Sequence, residues 1–319
     1  MRIRIPDVGF LRSVFSSSGC GNHKTNCKIA DMRKIVLTTV GTFGDLHPFI
    51  AIALALQNRG YTPLLAVSSD QVAKCRQAGL KAVAILPGFA KIQQRMGLTH
   101  EAAVRRVIGN QRVMFEQTLL PDLSESAAEL DVVSSDAVAI VASNFVIAAP
   151  IIAEKRNIPL ISVILQPMAI LSDYDPPRTP DFWMMSHRGG GRIGVRWNHL
   201  VYASMRSILN RLYGQKIDEV RTEHGLPHTG ARKLFDLPEL AMLRLCCYSS
   251  QLGTLPADAG PKTRIVGFPV FDSYSGHQEC LPQELETFLA AGAPPVVFTL
   301  GTFAVSGAER FYALAAKAA

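Results

Sequence analysis

No stretch of the 319 residues approaches the roughly 18 to 20 consecutive apolar residues that a membrane-crossing helix needs; Phe49 to Leu56 is far too short. The expectation is a chain that is soluble or held at a membrane surface. The six cysteines (Cys20, Cys27, Cys75, Cys246, Cys247, Cys280) form no C-x-x-C pair and no metal-ligand spacing, and most lie in apolar runs. That is the pattern of reduced thiols in a cytoplasmic protein, with no metal expected. There is no Walker A lysine motif and no G-x-S-x-G elbow, so neither an ATPase nor an α/β-hydrolase is supported. Without that elbow, His187 beside Gly189 to Gly191 reads as a flexible loop rather than an oxyanion loop. The dinucleotide fingerprint G-x-G-x-x-G is missing too, although Asp70, after the second expected strand, stands where its acidic residue would be. His224 and His228 have i, i+4 spacing, but Pro227 between them spoils the helix a metal pair would need. The net charge of +7 is inflated by the first 31 residues, and the modest remainder gives no case for nucleic acid.

With 48% hydrophobic and 18% charged residues, the chain is long enough and apolar enough for two α/β units. Residues 1–31 have no sustained periodicity and read as a disordered basic leader, or as a mis-called start with Met32 the true first residue. From Lys34, strands alternate with helices. Strands are expected over Lys34 to Val40, Tyr61 to Ser68, Lys81 to Leu86, Ala137 to Ala142 and Pro159 to Leu165. Helices are expected over Asp45 to Arg59, Asp70 to Ala78, His100 to Leu130 with a break near Pro121, and Phe145 to Arg156. This alternation predicts a Rossmann-like parallel sheet with helices on both faces.

Gln166 to Pro180, rich in proline, is a loop. Phe182 to Ile217 then carries six arginines and lysines and four Trp and Tyr residues without one Asp or Glu. It reads either as a basic, aromatic surface resting on anionic lipid or as a solvated helix whose aromatics pack inward. A further strand is expected at Ala241 to Tyr248 and a short one from Arg264. Residues 261–293 form a linker with a small helix at Pro282 to Ala291. Pro294 to Thr302 is expected to be a fresh buried strand, and Val305 onwards a helix, opening a second Rossmann-like domain over 294–319 after a first over 32–260.

The stretch that organises the chain is KIVLTTVGTFGDLHPFIAIALALQNRG, Lys34 to Gly60: a strand, a glycine-bounded turn (Gly41, Thr42, Phe43, Gly44) and a helix. Such a turn at the C-terminal end of a first parallel strand is where these sheets bind ligands, with free helix N–H groups offered to an anion. Asp45 stands at the mouth of that site. It reads equally as an N-cap, with Pro48 in the first helical turn.

This stretch is similar to the opening of the GT-B glycosyltransferases of the family 28 and UDP-glucosyltransferase type, whose first loop reads roughly G-[ST]-x-G-D-x-x-P before an apolar helix. The later segments IVGFPVFD and PPVVFTLGT resemble the interdomain linker and first C-domain strand of the same family. Bacterial rhamnosyltransferases of glycolipid synthesis look most alike. The resemblance runs from Arg33 to the end. It implies an inverting hexosyltransferase using a nucleoside-diphosphate sugar as co-substrate and no other cofactor. Asp45 would be the base that takes the acceptor proton. Gly41, Thr42 and Gly44, with Gly301 and Thr302, would lie by the donor diphosphate and sugar. His47, Gln166 and Pro167 would line the acceptor side, and the acceptor would be lipid-like or otherwise hydrophobic, with peripheral membrane contact. The family's His-Gly-Gly-x-Gly-Thr-like loop and Asp-Gln-like pair do not occur in these 319 residues. The expectation is therefore a truncated reading frame that holds the acceptor half and would not turn over alone. Two rival readings are a non-catalytic acceptor-binding or partner module and a nucleotide-sugar epimerase.

Overall fold

A computed structural model describes residues 33–179, 182–187, 191–232, 240–271, 281–305, 308 and 310–319, without the side chains of residues 108, 111, 302 and 303. The leader 1–31 and residues 272–280 of the expected linker lie outside these residues.

The first half alternates as expected: β1 (Lys34–Thr38), α1 (Phe43–Gln57), β2 (Thr62–Ser68), α2 (Val72–Gln77) and β3 (Lys81–Leu86). A set of helices follows: α3 (Phe89–Met96), α4 (His100–Gly109), a π-turn at Met114–Leu119, and α5 (Leu123–Val133). Then come β4 (Ala137–Ser143), α6 (Ala148–Arg156), β5 (Leu160–Ile164), the 32-residue α7 (Arg192–Glu223), β6 (Leu243–Cys246) and β7 (Thr263–Ile265). The seven strands form one parallel sheet in the order β3-β2-β1-β4-β5-β6-β7. Strands buried on both faces need no polar side, and β1 and β4 are accordingly near-continuous apolar runs.

The pleat of β1 divides the core. Ile35 and Leu37 point to one face with Leu46, Phe49, Ile50 and Ala53 of α1 and Cys75 of α2. Val36 points to the other, where it joins Leu123, Ala127 and Leu130 of α5, Ile151 and Ile152 of α6, and Tyr213, Ile217 and Val220 of α7. Helices therefore cover both faces, as parallel βαβ units require.

Two carboxylates tie the outer helices together. Asp122 receives Arg95 at 2.6 Å and Lys91 at 3.0 Å, both from α3. Asp131 receives Lys155 at 2.7 Å and Arg156 at 2.6 Å from α6. Burial alone would raise both carboxyls, but the hydrogen bonds and charges of their partners outweigh it and hold both below the usual range. A carboxylate depressed in the folded state contributes stability that is present above its unfolded value, near ~3.9, and is lost as pH falls through the folded value. The urea midpoint should thus drop as pH falls below about 4, and Asp122→Asn with Asp131→Asn should flatten that dependence.

Three expectations need correction. The helix after β1 begins at Phe43 rather than Asp45, which moves Pro48 inside the helix. Thr42 takes the N-cap role, because its pairing with Asp45 closes a capping box at that point. Helix α3, between β3 and His100, has no counterpart in the sequence reading; its eight residues are amphipathic but few, and Gly97 closes it in the left-handed conformation at φ 63°. The strand expected over Pro294 to Thr302 does not form. Residues 294–300 are irregular, Val296 and Val297 are 73% and 78% exposed, and Gly301–Ala304 is a helical turn. A strand is held by its neighbours' N–H and C=O groups, and no strand of the described residues lies beside this run. The small helix at Gln283–Ala290 and a last one at Phe311–Ala318 do form.

Candidate active site

In the strand order, β1 lies between β2, which follows it in sequence, and β4, which the chain reaches only after crossing back. The connections leave β1 and β4 in opposite directions, and the crevice outside the carboxyl ends of such a pair is the general ligand site of open α/β sheets. The Gly41–Asp45 turn sits at this place, directly after β1.

Within the turn, Asp45 folds back over the loop. Its Oδ2 accepts the backbone N–H of Thr42 at 2.8 Å. The carboxylate lies so close over Gly41 that a Cβ added there would stand 2.1 Å from Oδ2, and Gly41 has φ 131°. Glycine is required on both counts. Gly41→Ala should either unseat the carboxylate or melt the first turn of α1. Loss of about 1 to 3 kcal/mol in urea unfolding is expected, with any bound ligand weakened in parallel. Gly44 differs, since a Cβ there would meet only Thr42 Oγ1 at 3.8 Å. It is an exposed position on the first turn, open to approach from outside.

Burial raises the Asp45 carboxyl above its ordinary value, against the opposing hydrogen bonds from Thr42. The helix N-terminus also favours the anion, by up to about 2 kcal/mol in partly buried geometry, yet desolvation wins. The hydrogen bonds from Thr42 do not saturate the carboxylate, which has about four acceptor sites. Asp45 is thus both a cap and a half-buried group of raised basicity, and the geometry is compatible with accepting a proton from a hydroxyl in the crevice.

The loop is held from below by a residue that the sequence reading passed over. Gln71, 5% exposed at the start of α2, donates from Nε2 to the Gly41 carbonyl at 2.8 Å. Its neighbour Asp70 is engaged with the next helix, accepting the N–H of Phe89, the first residue of α3, at 3.1 Å.

His47 is not simply solvated. Its ring stacks on Phe43 at 5.5 Å and meets Phe271 edge-on at 5.4 Å, while Lys74 Nζ lies 5.9 Å from the centre of the Phe271 ring. The IVGFPVF segment after β7 therefore returns to the helix that carries Asp45, a contact between distant parts of the chain that no local pattern announces. Gln166 and Pro167 follow β5 and so lie at the same sheet edge, two strands from β1, about 10 Å across the sheet. Gln166 is exposed, and Pro167 packs against Gly253, where a Cβ would come within 2.7 Å of it. The turn holding Gly301 and Thr302 lies against α1 and α4, with Gly301 at φ 74°. The Thr302 side chain lies outside the described residues. An open groove of about 890 Å³ lies elsewhere, between the second half of α7 and residues 228–232, and Asp45 is not among its walls.

A parallel sheet with this turn at the switch point is a Rossmann-like α/β lobe, and its sequence is similar to those of glycosyltransferases. Residues 35–169 match the model of the glycosyltransferase family 28 N-terminal domain. The chain is 26% identical over 286 residues to a sterol 3-beta-glucosyltransferase of Arabidopsis thaliana, an alignment covering 87% of this chain and 42% of that protein. It is 24% identical over 301 residues to an uncharacterised glycosyltransferase of Mycobacterium tuberculosis, covering 90% of this chain and 66% of that protein. Among solved structures, the glycosyltransferase SnogD of Streptomyces nogalater superposes with a TM-score of 0.45 at 16% identity, over 79% of this chain and 55% of that one. The chain thus spans between about two fifths and two thirds of the length of these relatives.

Proposed function

We propose that this lobe serves hexosyl transfer from a nucleoside-diphosphate sugar to a hydroxyl of a hydrophobic, lipid-like acceptor, with inversion at the sugar carbon. Residues 32–260 form the acceptor lobe, 261–293 the linker, and 294–319 the start of a donor-binding lobe. The observation that carries the reading is the half-buried Asp45 carboxylate, raised in basicity and seated over Gly41 at the switch point of the sheet. In the transfer, Asp45 takes the acceptor hydroxyl's proton as the oxygen attacks the anomeric carbon. The bond from that carbon to the diphosphate breaks, and the leaving diphosphate carries away the electron pair. Gly41, Thr42 and Gly44 keep that approach narrow and unobstructed, and Gly301 with Thr302 faces the donor phosphates. His47, in its aromatic setting, shapes the acceptor side with Gln166 and Pro167. A sterol is an acceptor of the kind proposed, and a relative is named for acting on one.

The reading is tested on a polypeptide carrying both lobes, supplied with nucleotide sugars and hydroxylated apolar acceptors. Sugar transfer that depends on the acceptor is the expected result. Interconversion of the sugar without any acceptor would instead make it an epimerase.

A further inference from the structure

Helix α7 turns one side to the body of the protein, where Asn198, Tyr202 and Tyr213 are buried. Tyr202 and Tyr213 therefore fulfil the inward-packing expectation. The tryptophans do not. Trp183 is 78% exposed and Trp197 47%, and they share the outer surface with Ile193 at 86% and Leu200 at 61%. Ile193, Trp197 and Leu200 are spaced i, i+4, i+7, so they form one stripe along the outer side of the helix. Trp183 belongs to the preceding segment, which is fastened to the helix by the Trp197 indole N–H donating to the Met184 carbonyl at 2.7 Å. Arg192 and Arg196 are exposed on the flank of the stripe. No acidic residue occurs between Phe182 and Ile217. Of the acidic residues in the preceding loop, Asp173 is engaged by His199 Nδ1 at 2.9 Å, on the flank of the helix that also carries Arg192 and Arg196.

An ordinary surface helix hides its apolar stripe and shows its charges. Here the shown side itself is apolar, aromatic and flanked by arginine, which is the composition of helices that lie in a bilayer interface. We infer that the outer face of the first turns of α7, with Trp183, docks on an anionic lipid surface, its indoles and aliphatic side chains entering the headgroup boundary and Arg192 and Arg196 meeting lipid phosphates and carboxylates. Charge selects this occupant over a second copy of the chain, because pairing two such stripes would set arginine against arginine. The docking stands apart from the transfer chemistry, since it involves none of the residues at the sheet's switch point.

The chain contains only two tryptophans, and both are in this surface, so its intrinsic fluorescence reports directly on the contact. Adding phosphatidylcholine vesicles that contain phosphatidylserine should shift the emission to the blue and carry the protein into the vesicle pellet. Salt should reverse both effects. Arg192→Gln with Arg196→Gln should weaken partitioning by about fivefold per arginine, and Ile193→Glu with Leu200→Glu by at least about tenfold. All four side chains are exposed, so melting curves should match the parent, and a variant that fails this check is replaced by Ile193→Ser. Unshifted emission with the anionic vesicles would overturn the proposal. So would equal binding to pure phosphatidylcholine, equal binding by the glutamate variant, or a blue shift that grows with protein concentration in the absence of lipid.

Discussion

In a polypeptide carrying both lobes, Asp45→Asn should reduce the proposed sugar transfer by about 10²- to 10⁴-fold, the range of a lost general base, while leaving the melting temperature nearly unchanged. The amide keeps an oxygen that can accept the Thr42 N–H, so the cap at the start of α1 survives while the capacity to take a proton does not. The pH profile supplies an independent check. Burial raises the Asp45 carboxyl, so in the parent two-lobe polypeptide the proposed transfer should climb with pH as that group ionises, with its midpoint above the range of an exposed carboxylate. In the asparagine variant that limb should vanish. Full activity in Asp45→Asn would reduce the residue to a helix cap.

The second large effect concerns stability and lies far from the crevice. Arg221, 2% exposed on α7, holds the Glu154 carboxylate of α6 with both terminal nitrogens, at 2.9 and 3.0 Å, and donates from Nε to the Pro227 carbonyl at 2.7 Å. Two helices and a loop meet in one guanidinium. Arg221→Ala removes the guanidinium from the Glu154 carboxylate and the Pro227 carbonyl and empties a buried space, and should cost about 3 kcal/mol or more. In a thermal melt that is a loss of roughly 10 °C or more. The double change Arg221→Met with Glu154→Leu should recover much of it, because apolar side chains of similar volume avoid the cost of burying charge. Equal destabilisation in the double variant would mean that packing, not the ion pair, is what the arginine supplies.

The parallel sheet was legible because its strands are short β-branched runs at regular spacing, and Lys81 to Leu86 has the same limits in sequence and structure. The turn from Gly41 to Asp45 was legible for a related reason, since two glycines and an aspartate between a strand and a helix leave few arrangements. What escaped was non-local. Gln71 under Gly41 and Phe271 against His47 meet only because the fold returns the chain to the same place, and nothing in their immediate surroundings marks them. The run from Pro294 failed in the opposite sense. Its residues favour a strand, but β structure needs a partner as well as a preference, and there is none beside it among the described residues. The direction of the α7 tryptophans escaped for a third reason, because composition alone does not tell which side of a helix faces in.

The gap between β1 and β4 is a product of wiring rather than of the side chains around it. It opens because successive crossings diverge there, so substitutions can rewrite its lining without closing or relocating it. At about one identity in four, as with the Arabidopsis relative, most aligned side chains differ, and a cleft set by strand order does not depend on which ones line it.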